Sequence, residues 1–210
     1  MTRNMRPEYA GLPGVVVVAL VLAGCVRGAD ITGVGVSTAE AIPAYIAEGV
    51  VLAYEPVTGS LLKADTTGLQ SWQPNTGWQE VESVGQGSLS GLVVVPDQPE
   101  FMYVSGPGLG VLRSTDGGAA WESANTGLAS LDVTALAGHS YRPDTLFAWV
   151  AGVGIFRTED AGLHWVQMPD PGPTDGTVTF LAHSDLPGSM NTGWLYAATP
   201  SGVYLSMDCF

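Results

Sequence analysis

A twelve-residue stretch that returns at a fixed interval constrains this chain more than any other feature. Gly110–Trp121 (GVLRSTDGGAAW) recurs as Gly154–Trp165 (GIFRTEDAGLHW), and a third copy begins at Gly202–Asp208 (GVYLSMD). A second matching element lies upstream of each: Val95–Pro99 (VPDQP), His139–Pro143 (HSYRP) and His183–Pro187 (HSDLP). Pro99, Pro143 and Pro187 stand 44 residues apart, as do Asp116 and Asp160, whereas Asp160 and Asp208 stand 48 apart. The last unit therefore carries a four-residue insertion, placed around Gly188 to Thr192. A decayed copy is read at Gly59–Trp72 (GSLLKADTTGLQSW), with Lys63 in the Arg113 place.

Within one unit the apolar residues fall into short β-rich runs bounded by turn residues: Leu131–Ala137, Thr145–Val150, Gly154–Thr158 and His164–Met168. Four antiparallel strands repeating every ~44 residues is the signature of a propeller blade. The expectation is an all-β propeller of four-stranded antiparallel blades. About four are visible, at 42–82, 83–126, 127–172 and 173–210, the first poorly defined and the last lacking its fourth strand. Composition agrees: 28 glycines and 14 prolines in 210 residues exclude a helical bundle. An apolar fraction of 46% with 13% charged residues excludes overall disorder. Seven basic against twenty acidic residues give a net charge of −13 with no basic stripe, which argues against a nucleic-acid partner.

The N-terminus reads as an address. Arg3 and Arg6 precede the apolar run Val15–Ala23 (VVVVALVLA), too short to span a bilayer of ~30 Å but suited to a secretory signal. The run ends in Leu22-Ala23-Gly24-Cys25, which resembles the lipobox of bacterial lipoproteins. That resemblance implies a signal peptide over 1–24, lipidation of Cys25, a small polar tether over 25–41 and a propeller over 42–210 held at a membrane, facing the periplasm or the exterior. A plain secretory signal or an uncleaved anchor is the other reading. Removing 1–24 takes away Arg3, Arg6 and Glu8, leaving 5 basic and 19 acidic residues, or −14. Lipid rather than protein surface would then hold the domain on an anionic membrane. Cys209 is left without an internal disulfide partner.

Ser114/Asp116/Gly118/Trp121 and Thr158/Asp160/Gly162/Trp165, with the partial copy Ser206/Asp208, resemble the Asp-box or BNR repeat. That family includes sialidases, xyloglucanases, sortilin-type receptors and the photosystem II assembly and stability factor. The resemblance covers roughly residues 40–210 and implies a propeller with the box at a hairpin between third and fourth strands, away from any active centre. Side-chain chemistry gives the same role. A carboxylate and a hydroxyl accept hydrogen bonds from turn amides that no ladder satisfies, glycine permits positive φ, and the indole covers apolar area between sheets. The fold alone fixes no function.

Few residues are left for chemistry. His139 and His183 hold equivalent places at the end of a first strand, read as a shared turn role against a paired metal or acid–base site; His164 lies inside a box. No His-x-x-x-His or Cys-x-x-Cys spacing suggests zinc, and no cofactor or metal is expected. Asp97, Asp132, Asp144, Asp170, Asp175 and Asp185 could supply the two carboxylates of a glycoside hydrolase, but acids are so numerous that proximity in sequence says little. The resembling sialidases clamp a carboxylate with three arginines. Here Arg27 lies in the tether and Arg113 and Arg157 lead into boxes, leaving Arg142 alone. Gly106–Gly110 (GPGLG) lacks the helix and lysine of a phosphate loop and reads as a hairpin turn.

The sequence therefore leads to a non-catalytic, membrane-tethered scaffold that binds a protein partner. Its departure from the assembly-factor branch is the lack of an arginine-rich patch. The rival is a carbohydrate-active protein, hydrolase or glycan binder, presenting Trp72, Trp78, Trp149 and Trp194 as stacking rings. Clustering of those rings on one concave face favours sugar; scattering between blades favours packing. The last copy stops inside its box, which leaves open a truncated gene product, a half-propeller completed by another chain, or a compact small propeller.

Overall fold

The computed structural model describes residues 50–85, 87–174, 178–185 and 193–207. The signal peptide, Cys25, Arg27, the tether, Asp175, Asp208 and Cys209 lie outside them. The described residues form four antiparallel sheets in chain order, each a meander. The first comprises β1 (Val51–Glu55), β2 (Ser60–Asp65), β3 (Gly68–Gln73) and β4 (Gly77–Glu80), and the second β5 (Gly91–Val94), β6 (Met102–Gly106), β7 (Gly110–Ser114) and β8 (Glu122–Ser123). The third comprises β9 (Val133–Gly138), β10 (Leu146–Val150), β11 (Gly154–Thr158) and β12 (Val166–Gln167), and the fourth β13 (Phe180–Ser184), β14 (Trp194–Thr199) and β15 (Gly202–Met207). First strands lie side by side, β1 against β5, β5 against β9 and β9 against β13. This is the arrangement of successive β-propeller blades.

Three apolar seams join the four blades. Leu62, Ala64 and Leu69 meet Leu92, Met102 and Val104. Val93, Tyr103 and Val111 meet Leu136, Leu146, Ala148 and Phe156. Ala137, Phe147, Trp149 and Ile155 meet Leu181, Leu195 and Ala197. The middle blades are buried on both faces, so β10 (LFAWV) reads as a continuous apolar run rather than an alternating one.

Two details depart from the repeat. The stretch Gly59–Trp72 spans the hairpin of β2 and β3, the second and third strands, so it is not a box between third and fourth. Asp65 and Gly68 pair directly, and the Asp65 Oδ1 carboxylate accepts from the Thr67 amide (2.8 Å) and hydroxyl (2.6 Å), a plain Asx turn. The second departure is in β13. An offset of 44 would give His183 the orientation of His139, yet Leu181 and His183 face the third blade. A one-residue slip in a strand turns every side chain to the other face.

Candidate functional site

The two full boxes form the same turn bond for bond. After β7, the buried Ser114 hydroxyl donates to Asp116 Oδ1 (2.9 Å) and accepts from the Gly118 amide (2.9 Å), while Asp116 Oδ1 accepts from the Ala120 amide (2.9 Å). After β11, Thr158 Oγ1 donates to Asp160 Oδ1 (2.8 Å) and accepts from the Gly162 amide (3.0 Å), and Asp160 Oδ1 accepts from the His164 amide (2.8 Å). The second turn is also held by the neighbouring blade: the fully buried Tyr103 donates its hydroxyl to the Ala161 carbonyl (3.0 Å). Both carboxylates serve backbone amides.

The hydrogen bonds lower both acids. For Asp116 the Ala120 amide acts most, followed by the Ser114 hydroxyl. For Asp160, burial pulls upward, but the His164 amide and ring and the Thr158 hydroxyl outweigh it and hold the carboxyl at about 2, against an ordinary 3.8. A depressed carboxyl contributes its stability fully above its unfolded value and loses it as pH falls through the folded one. Acid titration from pH 4 to 2 is therefore expected to destabilise the protein. Asp160→Asn should flatten part of that slope in urea midpoints measured across the range; an unchanged slope would contradict the turn's role.

His139 and His183 stack across the seam between the third and fourth blades, centroids 3.8 Å apart. His139 is 2% exposed and lies edge-on to Tyr141 at 4.4 Å. His183 Nδ1 accepts from the Ser140 amide (3.1 Å) and lies 2.8 Å from the Ser140 hydroxyl. The pair belongs to the packing between blades. Among the described residues no cluster of three His, Cys, Asp or Glu could hold a metal.

The remaining candidates are dispersed. Asp132 accepts from the Gly108 amide (3.0 Å), Asp170 from the Gly172 amide (3.0 Å), and Glu55 from those of Val57 (2.6 Å) and Thr58 (2.8 Å). Arg113 pairs with Glu122 (3.2 Å), Arg157 with Glu159 (3.3 Å), and Arg142 lies over the Tyr141 ring. A cavity of about 360 Å³ between the third and fourth blades has Asp170, Pro173, Tyr204 and Ser206 in its wall.

The four tryptophans do not share a face. Trp149 is 4% exposed in the seam between the third and fourth blades, with its Nε1 donor buried and unbonded. Trp149→Phe removes that donor from the seam and is expected to shift stability by less than about 1.5 kcal/mol in urea unfolding. Trp194 is half-buried on β14. Trp72 and Trp78 are cross-strand neighbours on β3 and β4, 37% and 42% exposed. Strand pairing aligns them with Leu61 and Tyr54, while Leu52, Lys63, Gln70 and Glu80 form the adjacent row. Lys63 reaches over the Trp78 ring. This is the face of the first blade turned away from the second; sequence reasoning named its two tryptophans and missed Leu52 and Tyr54 beside them. Its signal was present in the alternation of Leu52, Tyr54, Trp72 and Trp78 with smaller residues.

No protein-family model matches the sequence, and comparison with curated proteins finds no match. Solved structures do match. A GH74 enzyme of Niastella koreensis superposes with a TM-score of 0.57 at 18% identity, over 77% of this chain and 28% of that one. The GH74 xyloglucanase of Xanthomonas campestris gives 0.57 at 18%, over 76% and 29%. The computationally designed Ika4 protein gives 0.50 at 13%, over 76% and 89%. The chain thus spans less than a third of the two GH74 chains. At these identities the likeness establishes the β-propeller fold and leaves activity to the side chains.

Proposed function

We propose that the chain is an exported lipoprotein whose propeller blades act as a non-catalytic, protein-binding scaffold at a bacterial membrane. One observation carries the reading: an apolar face stays uncovered while six of the described carboxylates are tied to backbone amides. Asp65, Asp116, Asp132, Asp160, Asp170 and Glu55 all accept from backbone amides within turns or loops. Beside them, the outer face of the first blade exposes Leu52, Tyr54, Trp72 and Trp78 together, the type of patch that marks an interaction site. The lipobox-like Leu22–Cys25 supplies the tether in this reading. The test is affinity purification of the tagged protein from detergent-solubilised membranes with Cys25 intact, followed by mass spectrometry. The expected result is an acylated Cys25 peptide and a stoichiometric protein bound to it; acylated protein recovered alone would count against the scaffold.

Glycan binding is the second reading, favoured by the adjacent Trp72 and Trp78 rings flanked by Gln70, Lys63 and Glu80. It requires tryptophan fluorescence to change with oligosaccharide and the change to disappear in Trp78→Ala.

A further inference from the structure

Independently of the scaffold reading, we infer that His139 and His183 form a pH-sensitive latch: as neutral rings they close the seam between the third and fourth blades, and their protonation opens it. The slip in β13 creates the pair, because it turns His183 back onto the third blade, where the repeat-equivalent His139 meets it. The centroids are 3.8 Å apart with 27° between the planes, and Phe147 stacks on both rings, at 5.8 Å from His183 and 6.3 Å from His139. Tyr141 stands edge-on to them, at 6.3 and 4.4 Å. Around the rings the seam is apolar, with Ala137, Leu181 and Leu195. His139 is 2% exposed, which leaves almost no water to solvate a charge on it.

Hydrogen bonding fixes the charge state of both rings. His139 Nδ1 accepts from the Tyr141 amide (3.3 Å), and His183 Nδ1 accepts from the Ser140 amide (3.1 Å). An amide N–H only donates, so each Nδ1 offers a lone pair and each ring carries its one proton on Nε2. The Ser140 hydroxyl, 2.8 Å from His183 Nδ1, can turn to accept a proton; the amide beside it cannot. Protonating either ring therefore sets one N–H against another, and protonating both sets like charges face to face. Charged groups on the packed elements are few. The loop after β9 supplies Tyr141, Arg142 over the Tyr141 ring (5.9 Å) and the exposed Asp144, β10 supplies only Phe147, and Asp185 is exposed past the end of β13. Residues 186–192 (LPGSMNT) hold no ionisable side chain. In the unfolded chain both histidines take up protons below about 6.5, whereas the closed seam holds them neutral. Stability rises with pH wherever the unfolded chain binds more protons, so the latch is fully closed above about pH 6.5 and weakens below it.

Urea unfolding of the full chain in detergent at pH 7.5 and 5.0 tests the latch. Two protons taken up at about 6.5 raise the unfolding equilibrium constant about 1,000-fold by pH 5.0, and one raises it about 30-fold. The parent is expected to show at least the about 30-fold rise, in a window above that of the box carboxylates. The double variant His139→Asn, His183→Asn keeps an acceptor in each Nδ1 place and binds no proton there, so its rise should stay below about 3-fold. His164, the third histidine, is 70% exposed and common to both proteins. Hydrogen exchange at pH 5.0, corrected for its intrinsic rate, should speed in β13 and β14 and not in β6 and β7. Nitrogen NMR of the histidine-labelled parent, which needs no variant, should show two rings unprotonated at Nδ1 at pH 6.0. The inference is overturned by a parent indifferent to pH over this window, or by a double variant with the parent's slope. Exchange that rises equally in both regions, or a ring protonated at Nδ1 while β13 stays protected, overturns it as well.

Discussion

Replacing Trp165 with alanine should lower the unfolding free energy by about 4 kcal/mol, the middle of the range for buried aromatics. The ring is 3% exposed in the seam between the second and third blades, and its Nε1 donates to the Ala124 carbonyl across that seam (2.7 Å). Alanine leaves a cavity between two sheets and a buried carbonyl without its donor. Trp121, the equivalent residue one blade earlier, should cost about half as much. Its ring is half-buried, and its Nε1 bonds Gly118 within its own turn (3.1 Å). Urea unfolding of both variants measures the difference. Equal losses would mean that the box tryptophans work within their turns and not between blades.

Gly127→Ala should cost about 3 kcal/mol through two additive causes. Gly127 has φ of +94°, a region costing a side-chain-bearing residue roughly 1–3 kcal/mol. A Cβ there would also lie 2.2 Å from the Trp165 carbonyl oxygen, a backbone atom fixed by pairing of the Trp165 amide with the Thr126 carbonyl (2.8 Å). Gly152 separates the causes. Its φ is +71° but nothing lies within 4 Å, so Gly152→Ala should show only the conformational part, about 1 kcal/mol. Similar losses at both positions would contradict the close approach of the second and third blades.

The second and third blades were legible because their repeat is written in residues with fixed physical tasks. Ser/Thr, Asp and Gly meet turn amides at set offsets, and β11 falls on Gly154–Thr158 as read. The first blade was harder: Asp65 and Gly68 close an ordinary hairpin with residue types that a decayed box also uses. Spacing alone could not orient His183, since one residue of slip reverses a strand's faces without disturbing its composition. Nor could residue type tell Trp149 from Trp72. Both are strand tryptophans, and only the neighbouring blade decides that one is core and the other surface.

The central claim is that the uncovered aromatic face binds protein. The most direct test replaces Trp72 with a photo-crosslinking phenylalanine analogue in the membrane-bound full chain and identifies the adduct after irradiation in cells. The account expects a discrete polypeptide adduct. No polypeptide adduct at Trp72, together with protection of the same position by oligosaccharide, would contradict it and transfer the face to the glycan reading.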